Sequence, residues 1–176
     1  MTCKTASLRA FATSLYLAHL GMGVPASRFN FVPTQHLFSS ISLSDDLSSG
    51  ISYFRAEALR VKAIAEAISK GHKVVAIMDE PFKGTNVKDA FDASRAILER
   101  FSTKEGCLFM FSSHLIELSE QISDAEKIDC RHFEAEEGEG KLRFDYLLRP
   151  GISSQRLGMR VLREEGVFEL LDGKSE

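Results

Sequence analysis

One stretch constrains the fold more than any other. Val74-Val75-Ala76-Ile77-Met78 is five apolar residues in a row, followed at once by Asp79-Glu80. A half-exposed strand would alternate, so an unbroken run is expected as a short strand covered on both faces. Cys107-Leu108-Phe109-Met110-Phe111 is expected to be a second strand of that kind. Between the two, residues 88–101 set Phe91, Ser94, Ile97, Leu98 and Phe101 at helical spacing. Ahead of the first, residues 52–70 form an amphipathic helix with Phe54, Ala58, Val61, Ile64, Ala65 and Ile68 on its apolar face, ended by Gly71. Helices alternating with buried strands imply an α/β fold with a mainly parallel central sheet and flanking helices. A chain of 176 residues is long enough for a full core.

The flanks are less regular. Residues 6–22 are expected to be a helix, with Leu8, Phe11, Leu15, Ala18 and Met22 on one face and Gly21, Gly23 and Pro25 at its end. Residues 26–44 are expected to be irregular, with short strands at 29–32 and 37–43. A helix is expected at 115–122. Strands at 128–134 and 141–148, joined by an acidic, glycine-containing hairpin over 134–140, add antiparallel character at one side. The tail from 154 to 171 is expected to be helical and broken near Gly166. The main domain then covers residues 1–150 and a helical tail covers 151–176.

The net charge of −3 carries no basic excess, so any DNA contact must come from a local patch, a partner or parts outside this chain. Cys3, Cys107 and Cys130 are odd in number and widely spaced, which argues against a disulfide framework or a zinc site and favours a reducing, cytoplasmic setting. No apolar run approaches the ~20 residues of a membrane span, so no membrane association is expected.

Four places could carry chemistry. Asp79-Glu80 ends a buried strand at the edge where α/β sheets bind ligands. Phosphoryl chemistry needs a carboxylate on the magnesium side and a second group to polarise water, and these two residues could supply both. Two acids after a strand are equally often a solvated strand end. Phe111-Ser112-Ser113-His114 ends the next strand, where His114 could reach a γ-phosphate, although a lone histidine is more often merely polar surface. Met1-Thr2-Cys3-Lys4-Thr5 precedes a helix and offers a lysine for phosphates and a hydroxyl for Mg²⁺, though an ordinary helix start would look the same. Ser48-Ser49-Gly50-Ile51-Ser52 before a long helix could bind an anion or simply cap the helix.

In this order and spacing the pieces resemble the C-terminal ATPase domain of the MutS mismatch-repair family, an ABC-type P-loop NTPase. Met1 to Thr5 resembles the end of that family's Gly-Pro-Asn-Met-x-Gly-Lys-Ser/Thr loop. Ser44-Asp45-Asp46-Leu47 through Ser52-Tyr53-Phe54 and Glu57 resembles its signature segment. Asp79-Glu80 resembles its Walker B pair, Gly84-Thr85-Asn86 the loop that follows, and Ser113-His114 with Glu117-Leu118 its histidine switch. The resemblance implies ATP and Mg as cofactors, with Thr2, Cys3, Lys4 and Thr5 on the phosphates, and Thr5 and Asp79 on Mg²⁺. Glu80 and His114 become the catalytic pair. Ser52 acts in trans on the γ-phosphate of a homodimeric partner, and DNA is reached through domains not in this chain. Two departures are implied as well: the loop's first glycine and the strand before it are absent, and Cys3 stands where the family has a glycine. Weak or absent ATP hydrolysis is therefore expected of the chain, and a non-catalytic remnant acting through protein contacts is the alternative.

Overall fold

The computed structural model of the chain describes residues 3–41, 53–122, 127–138, 141–153, 155 and 158–173. The elements run α1 (Cys3–His19), β1 (His36–Ser40), α2 (Tyr53–Ser69), β2 (Val74–Asp79), α3 (Val87–Phe101), β3 (Leu108–Ser112), α4 (Ile116–Ile122), β4 (Arg131–Gly138), β5 (Lys141–Pro150), α5 (Gly158–Glu164) and α6 (Val167–Leu171). The chain divides into two compact units, residues 1–130 and 131–176. The hairpin β4–β5 therefore groups with the tail helices that follow it.

In the first unit three parallel strands lie in the order β1-β2-β3. The unbroken apolar run of β2 is buried throughout Val74–Met78 because both faces are covered. Alternation along the strand divides its side chains between two cores. Val75 and Ile77 meet Leu8 and Leu15 of α1, while Val74, Ala76 and Met78 meet Ile64 and Ala67 of α2 and Phe101 of α3. The two crossover helices share a face because successive strands are added in one direction with one hand of crossover. A third cluster, Leu98, Leu118 and Ile122, packs α4 onto α3.

Several expectations need correction. The strand expected at 29–32 does not form. Its aromatics are used as packing: Phe29 lies against the α1 core and Phe31 against the His19 ring at 5.1 Å. His19 holds the segment, donating from Nδ1 to the Leu15 carbonyl at 2.8 Å and accepting Thr34 N–H on Nε2 at 3.1 Å. The strand expected at 37–43 is the short β1, displaced towards His36. The expected second buried strand, β3, is buried at Ser112 but half-exposed at Leu108. It lies at an edge of the described sheet and lacks a neighbour on one side. On α2, Ala58 and Ala65 face solvent, and the acid Glu57 is buried instead. Helix α1 starts at Cys3 rather than residue 6, so Lys4 and Thr5 lie within its first turn. Met22, expected on its inner face, lies beyond the helix and is exposed.

In the second unit β4 and β5 pair antiparallel from Arg131↔Pro150 to Gly138↔Lys141, so most of the acidic stretch is strand rather than turn. A register shift between Phe133 and Ala135 leaves extra residues on β5, with Tyr146 at φ 60°. Arg149 and Asp145 bridge this bulge at 2.5 Å, and the Gln155 side-chain amide pairs with both backbone groups of Ala135. Helices α5 and α6 are separated at Gly166, whose φ of 67° suits a residue without Cβ. Among the described residues no helix is long and apolar enough to cross a membrane.

Candidate functional site

Parallel pairing brings the carboxyl ends of β2 and β3 side by side, with Asp79 in register with Ser112. The amino end of α1 comes to the same edge. Three sequence segments separated by up to 110 positions therefore meet there, and each contributes polar groups at its first or last residues.

Asp79 is the hub. Thr5 donates its hydroxyl to Oδ2 at 2.7 Å, and Ser112 donates its hydroxyl to Oδ1 at 2.5 Å. The same Ser112 oxygen accepts the Glu80 N–H at 3.0 Å, with the Ser112 carbonyl sharing that donor at 3.2 Å. Ser112 thus fixes both the carboxylate of one acid and the backbone of the next. Lys4 donates to the Ser113 carbonyl at 2.9 Å and contacts His114 Nδ1 at 3.0 Å. An ammonium only donates, so His114 Nδ1 is the acceptor and the ring proton sits on Nε2. Nε2 in turn contacts the Glu80 carboxylate. Lys4, His114 and Glu80 form one continuous chain of polar contacts beside the Thr5–Asp79–Ser112 chain. Burial pushes the Lys4 ammonium below the ordinary lysine pKa, and the Glu80 and Asp79 carboxylates oppose that shift.

The backbone here is unusual. Glu80 has φ 50° and Phe82 φ 65°, both in the left-handed region and both carrying side chains. Such positions cost about 1–3 kcal/mol each and persist where the surroundings enforce them, often at functional sites. The loop continues to Gly84, where an added Cβ would lie 2.5 Å from the Tyr53 ring, so only glycine fits without displacing Tyr53. Asn86 then caps α3, accepting Asp89 N–H at 2.9 Å.

Of the residues singled out in the sequence, Lys4, Thr5, Asp79, Glu80 and His114 are brought together. Cys3 is the first residue of α1. Thr2 and Ser52, together with residues 44–51 of the signature segment, lie outside the described residues, whereas Tyr53, Phe54 and Glu57 of that segment begin α2. Ser112 was not anticipated as a site residue. The signal was its place opposite Asp79 on the adjacent strand, which only the register reveals.

Among the described residues no group of three or more His, Cys, Asp and Glu side chains could hold a metal ion by itself. Thr5 and Asp79 offer two hard oxygens 2.7 Å apart. That is close to the ~2.9 Å between neighbouring oxygens around Mg²⁺, an ion that keeps several waters and takes only one or two protein groups in phosphate sites. The pair fits such an ion.

The family model for MutS domain V matches residues 1–171. The DNA mismatch repair protein MutS of Natronomonas pharaonis is 28% identical over 176 residues, all of this chain and 20% of that protein. The DNA mismatch repair protein MutS 2 of Haloarcula marismortui is 29% identical over 167 residues, 95% of this chain and 17% of that protein. The chain thus spans about a fifth of the length of the curated relatives it matches. A family match over residues 1–171, nearly the whole chain, shows that the chain belongs to the MutS domain V family.

Proposed function

We propose that this chain is the nucleotide-binding module of a MutS-type mismatch-repair ATPase, of P-loop ABC type, and that the sheet edge at Lys4, Thr5, Asp79, Glu80 and His114 binds Mg-ATP. The observation that carries this reading is the convergence of those five side chains within hydrogen-bond reach, through Thr5–Asp79 at 2.7 Å and Lys4–His114 at 3.0 Å. Lys4 holds the β- and γ-phosphates. Its present acceptors are a neutral carbonyl and an imidazole, and anionic phosphate oxygens make stronger, charge-assisted bonds than either. Thr5 and Asp79 hold Mg²⁺, which neutralises phosphate charge. Glu80 takes the proton of the attacking water, and His114 donates from Nε2 to the γ-phosphate. Ser52 completes the site of a second copy in a homodimer, and DNA is held by domains outside this chain.

Cys3, where the family has a glycine, is the residue that favours a non-catalytic remnant. Glu80→Gln separates the readings. In an active module the substitution lowers turnover by about 10²–10⁴-fold while leaving Mg-ATP affinity intact. Turnover equal in the variant contradicts the hydrolytic role of Glu80, and turnover absent from the wild-type chain supports the non-catalytic remnant.

A further inference from the structure

The proposed chemistry leaves one buried acid unused. Glu57 on α2 is 2% exposed, beside a small cavity of about 110 Å³ lined by Ser40, Arg60 and Pro81. A carboxylate out of water must be hydrogen-bonded. Both Glu57 oxygens are used: Oε2 accepts the Phe82 N–H at 2.7 Å and Oε1 accepts the Ser40 hydroxyl at 3.2 Å. The first of these bonds reaches the backbone two residues after Glu80.

That turn, Glu80-Pro81-Phe82, is held against its preferences. Glu80 and Phe82 both have positive φ, and Glu80 also precedes a proline, which disfavours helical-type backbone in the residue before it. Pro81 has no N–H. The two N–H groups that remain are each taken by a residue of another element: Ser112 accepts from Glu80, and Glu57 accepts from Phe82. The Ser112 bonds fix where the turn begins. The Glu57 bond fixes how the chain leaves it, and the two together determine the direction of the Glu80 side chain. Two apolar contacts reinforce the hold of α2 on the loop, Phe54 against Phe82 at 5.5 Å and Tyr53 over Gly84.

We propose that Glu57 is a positioning residue for Glu80. Through the Phe82 N–H it keeps the Glu80–Phe82 turn in its left-handed conformation and so aims the Glu80 carboxylate at His114. The catalytic meaning of this contact rests on the nucleotide-site reading, whereas the contact itself does not.

The test compares Glu57→Gln and Glu57→Met in the full chain. Glutamine can accept the Phe82 N–H and donate to Ser40, while methionine fills similar space and does neither. Hydrogen exchange at the Phe82 amide is expected to quicken about 10- to 100-fold in the methionine variant and to stay near wild type in the glutamine variant. The ring ¹⁵N spectrum of His114 is expected to show the Nε2–H form in wild type and Glu57→Gln, and to move towards averaged tautomers in Glu57→Met as Glu80 leaves the ring. Where the wild type turns over Mg-ATP, kcat falls in Glu57→Met with KM unchanged, and glutamine restores it. A folded Glu57→Met chain with unchanged Phe82 exchange and His114 spectrum overturns the proposal. If that variant does not fold, the wild-type Phe82 amide decides. Exchange as fast as in an open loop contradicts the proposal; slow exchange, with a native His114 spectrum in Glu57→Gln, supports it. Loss of the two spectroscopic signals in a chain without turnover leaves Glu57 as the positioning residue and removes the hydrolytic reading alone.

Discussion

Ser112→Ala removes the hydroxyl that binds Asp79 and Glu80 at once. In the wild type this hydroxyl donates to the Asp79 carboxylate at 2.5 Å, and Ser112 is buried. A hydrogen bond to a charged group contributes about 1.5–3 kcal/mol, and partial exposure of Asp79 favours the lower half of that range. The Glu80 N–H loses one acceptor but keeps the Ser112 carbonyl at 3.2 Å, so no donor is orphaned. The expected loss is about 2 kcal/mol. The first compact unit has 130 residues. Its unfolding entropy is about 0.27 kcal/mol/K, so the midpoint should fall by roughly 7 °C. Calorimetry or circular dichroism against temperature reads this directly, with Mg-ATP titration as a second readout because Asp79 loses one of its two orienting partners. A midpoint within ~2 °C of wild type would refute the reasoning, since the bond would then contribute little beyond what water supplies.

Gly84→Ala should lower the midpoint by several degrees, from a loss of about 1–3 kcal/mol, because the new Cβ would sit 2.9 Å from Tyr53 Cβ, an atom fixed to α2. An unchanged melting curve would show that α2 yields there. The second unit should show an acid-sensitive contribution from Asp145, whose pKa is lowered by the side-chain hydrogen bond from Arg149 and then by the Leu147 N–H. A depressed carboxylate pKa stabilises the fold above the ordinary value of 3.8, and that stabilisation is lost as pH falls through the folded-state pKa. The stability difference between wild type and Asp145→Asn should therefore be constant above 3.8 and shrink below it; a difference independent of pH down to full acid denaturation contradicts the assignment.

The sheet and its helices were legible because their signals are local. An unbroken run at Val74–Met78 can only be satisfied between two layers, and Ser94, Leu98 and Phe101 of α3 are buried as their spacing implies. The misjudged elements depend on neighbours. Cys107–Phe111 is as unbroken an apolar run as the central strand, yet β3 is half-exposed because it lies at an edge of the described sheet. Phe29 and Phe31 have strand propensity, but pack on α1 and His19 without pairing. The site shows the same division. Lys4, Asp79, Glu80 and His114 stand at recognisable element ends, whereas Ser112 and Glu57 act through register and burial. The spacing of Glu57 from Phe54, Val61 and Ile64 is that of the inner face, but its charge argues for solvent, and only the Phe82 N–H and Ser40 hydroxyl make its burial tolerable.

The central claim is that the edge formed by α1, β2 and β3 is one Mg-nucleotide site, and calorimetric titration of ATP tests it most directly. Wild-type chain, Lys4→Met and Asp79→Asn are titrated with and without Mg²⁺. Loss of the charge-assisted bonds from Lys4 should weaken binding about 10- to 100-fold, and wild-type affinity should depend on Mg²⁺ in a way that Asp79→Asn removes. Equal affinity in wild type and Lys4→Met, or binding indifferent to Mg²⁺ throughout, would contradict the account.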